Sequence, residues 1–228
     1  DLLKEHNIEL DLNHYSRIIE ESDTGEKSAL FDYSKIHVDG PRDHQKNALD
    51  RWIENDHKGG LEHATGTYKT ATGLMAAADS LENGLNCVVI STPRKIISEN
   101  WVELAKKSFS SVKVIPCWSD HQGWNVAASE AINADRKAIL VFVNDSLWGD
   151  KGRSILRPLG DSWTLIVDEA HRWESGGSRS FMAGFSPVRR MGLSAEFENP
   201  QNPGGMVDVI DYLTSGKRGR MIDHLGLP

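Results

Sequence analysis

The runs CVVIST (Cys87 to Thr92), AILVFV (Ala138 to Val143) and TLIVD (Thr164 to Asp168) are apolar at nearly every position. A strand with one wetted face alternates apolar and polar residues. A strand without that alternation is covered on both faces, as in a parallel sheet held between two layers of helices. The feature sets the fold class: α/β, a mostly parallel sheet with helices on both faces. Strands are expected at Gly60 to Ala64, Cys87 to Thr92, Val112 to Trp118, Ala138 to Asn144, Leu165 to Asp168 and Arg189 to Ser194. Helical patterns fill the intervals, at Lys69 to Asn83, Arg94 to Ser108, Gln122 to Asp135 and Gly152 to Leu159. This alternation reads as a chain of βαβ units.

The 228 residues are enough for one large domain or one and a half. With 39% hydrophobic and 26% charged residues, the composition excludes a wholly disordered chain. The longest apolar run, Ala138 to Val143, is far shorter than the ~20 residues that span a bilayer, so no membrane partner is expected. The opening DLLKEH is not a secretory signal and lacks an initiator Met, so a piece of a longer, cytoplasmic protein is expected. Cys87 and Cys117 sit in strand-like runs and read as buried thiols in a reducing compartment, not as a disulfide or zinc site. A net charge of −7 gives nucleic-acid binding no support by itself, although a local basic stripe can exist on an acidic domain.

The two ends differ from this core. Residues 1 to 37 read as a helical extension, with Leu12, Tyr15, Ile18 and Ile19 on one face and a polar loop at Glu20 to Ser28. The α/β domain is expected over residues 38 to 200. After it come a loop, NPQNPGG (Asn199 to Gly205), a helix at Met206 to Leu213 and a small basic cluster, GKRGR (Gly216 to Arg220).

Chemistry concentrates in two places. In LEHATGTYKTATGL (Leu61 to Leu74) a strand enters a tight turn and then a helix that opens with Lys69-Thr70. This is the layout of a phosphate-binding loop, in which backbone N–H groups and the helix N-terminus cradle phosphates. Lys69 would reach the β- and γ-phosphates and Thr70 would hold Mg²⁺. The match to G-x-x-x-x-G-K-[ST] is imperfect, because His63 and Tyr68 stand at the two Gly positions. A bulky residue at Tyr68 requires a backbone conformation that suits a Cβ. In WTLIVDEAHRW (Trp163 to Trp173) an apolar strand ends in Asp168 and Glu169. Two acids at the carboxyl end of a strand suit a Mg²⁺-nucleotide site, with Asp168 on the metal and Glu169 polarising the attacking water.

In order along the chain, PRDHQKNALDRW (Pro41 to Trp52), ATGTYKT, VVISTPRKIISENW (Val88 to Trp101), ILVFVNDSLW (Ile139 to Trp148), DEAH (Asp168 to His171) and MGLSAEFENP (Met191 to Pro200) resemble the motif set of the first RecA-like motor domain of superfamily 2 helicases and translocases. Within them the chain is similar to the branch of type III restriction motor subunits and related DEAH-type proteins. The resemblance implies a RecA-like P-loop fold that binds ATP and Mg²⁺. Adenine would be read by Gln45 with Arg42 before it, and the phosphates would lie on Ala64, Thr65, Gly66, Thr67, Tyr68, Lys69 and Thr70. Thr70 and Asp168 would hold the metal, and Lys69 and Glu169 would be catalytic. His171 and Ser194 would couple nucleotide state to motion, and Pro93, Arg94 and Asn144 would touch nucleic acid, with DNA favoured over RNA. Glu196 stands where the family's motif has Thr. The family's arginine finger sits on a second RecA-like domain, which is therefore an expected partner.

The implied function is ATP-driven movement on nucleic acid, in a restriction or phage-defence setting. The alternative is a nucleotide-binding regulatory or scaffold module with degenerate catalysis, which Tyr68 keeps open. A GTPase lacks its N/T-K-x-D motif here, and a small-molecule kinase is disfavoured by the DEAH pairing and the R-x-x-Q element. No Ser-His-Asp, Cys-His or zinc spacing is present in the sequence. Trp52 and Trp101 read as core. Trp118, Trp124 and Trp148 lie near strand ends and are candidates for exposed base-stacking surfaces.

Overall fold

The computed structural model of the chain describes residues 30–197, 203–216 and 221–225. The expected helix around Leu12 to Ile19, the loop Glu20 to Ser28, the turn residues Asn199 to Asn202 and the basic residues Lys217 to Arg220 lie outside the described residues.

Seven strands form one sheet: β1 (Lys58–His63), β2 (Cys87–Thr92), β3 (Lys113–Cys117), β4 (Ala138–Val143), β5 (Thr164–Asp168), β6 (Arg189–Ser194) and β7 (Met221–Leu225). Their order is β3-β4-β2-β5-β6-β1-β7, and every pairing is parallel. The helices are α1 (Asp43–Glu54), α2 (Lys69–Glu82), α3 (Lys95–Ser108), α4 (Trp124–Asn133), α5 (Asn144–Trp148), α6 (Asp150–Leu156), α7 (Gly176–Gly184) and α8 (Pro203–Thr214). No helix among the described residues is long and apolar enough to cross a membrane.

The continuous apolar runs do what continuous runs must. Val88 and Ile90 of β2, Ile139 and Val141 of β4, and Ile166 of β5 pack with α1, α2 and α3 on one face. Their sequence neighbours Cys87 and Val89, Leu140 and Phe142, and Leu165 and Val167 pack with α4 to α8 on the other. Burying a large side chain of this kind contributes about 1.5–3 kcal/mol relative to exposure. Trp52 and Trp101 are fully buried, as expected of core, but Trp118 is only 3% exposed and is not a stacking platform. Both cysteines are free and buried; burial pushes the Cys87 thiol up to about 12 and Cys117 well above its usual range.

Four local differences from the sequence reading have physical causes. Asn144 opens α5 rather than closing β4, because its side chain turns inward to Ser91. Proline at the first position of α8 loses no hydrogen bond, so that helix begins at Pro203, inside the expected loop. Pro158 converts the end of the Gly152–Leu159 pattern into a 3-10 turn, Arg157–Leu159. Gly-rich α7 forms despite weak propensity, because Ser175 caps it by accepting the Ser178 N–H and Phe181 anchors it in the core.

Upstream of α1 the chain docks on the same unit. Phe31 bridges to Phe109 with ring centroids 4.8 Å apart, and the Asp32 N–H donates to the Ser108 carbonyl at 2.7 Å.

Candidate functional site

The carboxyl ends of β5, β6 and β1 lie side by side. With β6 between them, the turns after β1 and β5 are two strand spacings apart, about 9.5 Å. The expected phosphate loop and acid pair therefore share one sheet edge.

After His63 the chain folds back on itself. Thr67 donates from both its N–H and its hydroxyl to the Ala64 carbonyl, at 3.4 and 2.8 Å. Gly66 has φ +88°, and Tyr68 has φ 59° and ψ 42°. Tyr68 thus keeps the left-handed conformation that favours glycine, at a cost of about 1–2 kcal/mol for its Cβ. Its surroundings hold it there. The Tyr68 carbonyl accepts the Ala71 N–H at 3.0 Å and the Gln45 side-chain N–H at 3.3 Å. The Arg42 guanidinium stands 4.6 Å from the centre of its ring, and His37 meets that ring edge-on at 5.5 Å. A ring nitrogen of His44 lies 3.1 Å from the Thr67 carbonyl. The R-x-x-Q helix is therefore a clamp on the loop.

Gln45 is fully buried, and its Oε1 accepts the Tyr33 hydroxyl at 2.7 Å and the Arg42 N–H at 2.9 Å. Both lone pairs of that oxygen are occupied by the protein, so here Gln45 ties segments together instead of presenting an acceptor to a base. Tyr33 belongs to this arrangement, and nothing in its local sequence announces it.

Lys69 and Thr70 open α2. The Lys69 Nζ donates to the carbonyls of His63 at 2.7 Å and Ala64 at 3.3 Å. Burial pushes the Lys69 ammonium below its usual range, and the nearby charges of Glu169 and Asp168 pull it back up. Asp168 ends β5 at 6% exposure. Its Oδ2 accepts the Trp101 indole N–H at 2.7 Å and its Oδ1 accepts the Glu169 N–H at 3.0 Å. Burial raises the Asp168 carboxyl; the Trp101 hydrogen bond lowers it.

Glu169 also has a left-handed backbone, φ 51° and ψ 53°, which turns the chain from β5 into the 3-10 turn Ala170–Arg172. His171 Nδ1 lies 3.0 Å from the Ser194 hydroxyl and 3.3 Å from Glu169 Oε2. The Ser194 hydroxyl donates to the Glu196 carbonyl at 2.5 Å. It is therefore an acceptor toward His171, and the network assigns the proton to Nδ1. One hydrogen-bonded chain thus joins the acid pair to the end of β6.

Of the residues expected at nucleic acid, Arg94 is exposed at the start of α3 and Pro93 is partly exposed. Asn144 is 5% exposed, with its Oδ1 accepting from Ser91 at 2.6 Å and Trp173 at 3.4 Å. It braces two strand ends and faces no surface.

The donor set suits a magnesium nucleotide. Among the described residues no group of three or more His, Cys, Asp and Glu could hold a metal ion alone. Mg²⁺ needs no such cage, since it takes one or two carboxylates and completes its shell with phosphate oxygens and water. Asp168, Glu169 and the Thr70 hydroxyl offer oxygen, Lys69 offers a cation, and the start of α2 offers backbone N–H groups.

The helicase domain of Pyrococcus furiosus Hef superposes with a TM-score of 0.63 at 19% identity, over 86% of this chain and 39% of that one. The Sulfolobus solfataricus SWI2/SNF2 ATPase core, solved in complex with dsDNA, gives 0.58 at 18% identity, over 79% of this chain and 37% of that one. The ATP-dependent type ISP restriction-modification enzyme LlaBIII, bound to DNA, gives 0.52 at 16% identity, over 68% of this chain and 12% of that one. The fold is therefore that of RecA-like helicase domains, and the chain spans well under half the length of each of these proteins. The comparison with curated proteins returns no match. The family described as "Type III restriction enzyme, res subunit" matches residues 39–199, and with most of its length so matched the chain belongs to that family.

Proposed function

We propose that this chain is the first motor domain of a DEAH-type superfamily 2 helicase or translocase. It couples ATP hydrolysis to movement along or remodelling of DNA, in a cytoplasmic restriction or phage-defence system. The observation that supports this most is the shared sheet edge, where the Lys69 loop, the Asp168–Glu169 pair and the His171–Ser194 hydrogen bond meet.

Bound Mg²⁺ supplies charge neutralisation at the β- and γ-phosphates. In this reading Lys69 exchanges the His63 and Ala64 carbonyls for phosphate oxygens. Asp168 and Thr70 hold the metal, and Glu169 orients water, with His171 fixing its side chain. DNA crosses the face at Arg94, mainly through phosphate contacts, and a second RecA-like domain completes the site with an arginine. The two DNA-bound structures above favour DNA as the polymer.

Lys69→Ala is expected to abolish Mg²⁺-ATP binding in calorimetric titration while the circular-dichroism melt stays that of a folded domain. A folded mutant that bound ATP like the parent would show that the loop assignment is wrong. A second reading, a nucleotide-binding module without turnover, draws on the Lys69 ammonium being engaged by its own loop. ATP binding without hydrolysis by the DNA-bound full-length protein would establish it.

A further inference from the structure

We infer that Trp101 is a positioning residue for Asp168, and that through it α3 is joined directly to the magnesium half of the site. The inference rests on the reading of Asp168 as a metal ligand.

Three elements meet at this indole. Its ring is fully buried, and its N–H donates to Asp168 Oδ2 at 2.7 Å. Its far edge lies against α2 at Gly73, where an added Cβ would stand 2.5 Å from Trp101 Cη2 and 3.4 Å from Cζ3. Gly73 is one helical turn beyond Lys69, on the same face. The ring is therefore wedged between the helix that begins with the phosphate-loop lysine and the strand that ends in the acid. Its own helix begins about 9 Å away at the exposed Arg94 and Lys95.

The chemistry suits positioning and excludes direct participation. An indole nitrogen only donates, so Trp101 can neither bind a metal nor move a proton. With the Glu169 N–H on Oδ1 at 3.0 Å, each carboxylate oxygen is held by one donor and keeps a lone pair for a metal or its water. Two donors from different elements fix the plane of the carboxylate. Burial in this fold does not by itself supply a partner for an indole: the buried ring nitrogens of Trp118 and Trp148 make no hydrogen bond among the described residues. Gly73 is the matching adaptation, since any side chain there would move the ring off Asp168.

The test is Trp101→Phe, which keeps most of the buried ring and removes the N–H. ADP binding is measured by calorimetry across a Mg²⁺ series and again in EDTA. The Mg²⁺ needed for half-maximal tightening should rise about 10–100-fold, the usual effect of losing a group that orients a metal ligand. Affinity in EDTA should match the parent. Gly73→Ala, which retains the indole, should shift the Mg²⁺ dependence in the same direction. An unchanged Mg²⁺ dependence in folded Trp101→Phe overturns the inference. So does a parent whose ADP binding ignores Mg²⁺, a result that also removes Asp168 as a metal ligand and so separates the two failures. If neither variant folds, the Trp101 indole proton, assigned in the parent by triple-resonance NMR, decides. It should shift when Mg²⁺ is added to the ADP-bound chain, and a stationary resonance overturns the inference.

Discussion

Tyr68 shows how a single residue can violate a local rule and be kept. Its left-handed backbone costs about 1–2 kcal/mol that glycine would not incur. The Arg42 guanidinium over its ring returns about 0.5–1 kcal/mol at such an exposed site, and tyrosine avoids the roughly 0.4–1 kcal/mol of extra chain entropy that glycine brings to the unfolded state. These terms nearly cancel. Tyr68→Gly should therefore leave stability within about 1 kcal/mol of the parent, as read from denaturant melts. Nucleotide affinity should fall or hold, because the ring that links Arg42 to the loop is gone. A marked gain in affinity would mean that the loop is adapted to glycine. The placement of Lys69, Asp168, Glu169 and His171 at neighbouring strand ends was legible in the sequence because each sits in a short contiguous motif after an apolar run. The Trp101–Asp168 bond was not, since its partners are 67 residues apart and the buried Trp read only as core. The Tyr33–Gln45 bond and the inward turn of Asn144 were hidden for the same reason.

Among the elements, legibility follows how strongly local pattern constrains them. β2 and β6 lie where the sequence places them, and β1, β3, β4 and β5 differ by a residue or two at their ends. Burial on both faces demands an unbroken apolar run, which is easily seen. α5 is too short to show a period, and β7 reads as a strand only once β1 is there to pair with it. The junction of α5 and α6 carries a constraint that composition does not advertise. A Cβ at Gly152 would lie 2.4 Å from the Ser146 carbonyl oxygen and 2.7 Å from that of Leu147. Both are backbone atoms and cannot rotate away. Gly152→Ala should therefore destabilise by about 1–3 kcal/mol, an overpacking cost, and lower the melting temperature by about 2–4 °C per kcal/mol. Gly176→Ala is the control, because its Cβ would meet nothing within 4 Å. Equal melting temperatures for the two variants would show that the α5–α6 junction relaxes freely.

At the scale of the whole molecule, the described residues supply only part of the proposed ATPase site. Phosphoryl transfer depends on positioning and on neutralising charge spread over the γ-phosphate oxygens, and an arginine finger contributes about 10³–10⁵ in rate where it has been measured. Among the described residues, Lys69 is the cation that acts on Asp168, and it opposes two carboxylates. Beside Mg²⁺ and Lys69, a γ-phosphate held here would still need a further cation. In the proposed function a second motor domain across the cleft supplies it. Polymer binding faces a similar shortage: Arg94 and Lys95 are exposed at the start of α3, but the net charge of −7 repels a polyanion. In the proposed function the chain alone should hydrolyse ATP slowly, orders of magnitude below a parent protein that carries the second motor domain, and duplex DNA should stimulate it little. Steady-state turnover of both proteins, with and without duplex DNA, measures this. If the chain alone matched the parent, the described residues would hold a complete site, and the cation would have to be sought within them.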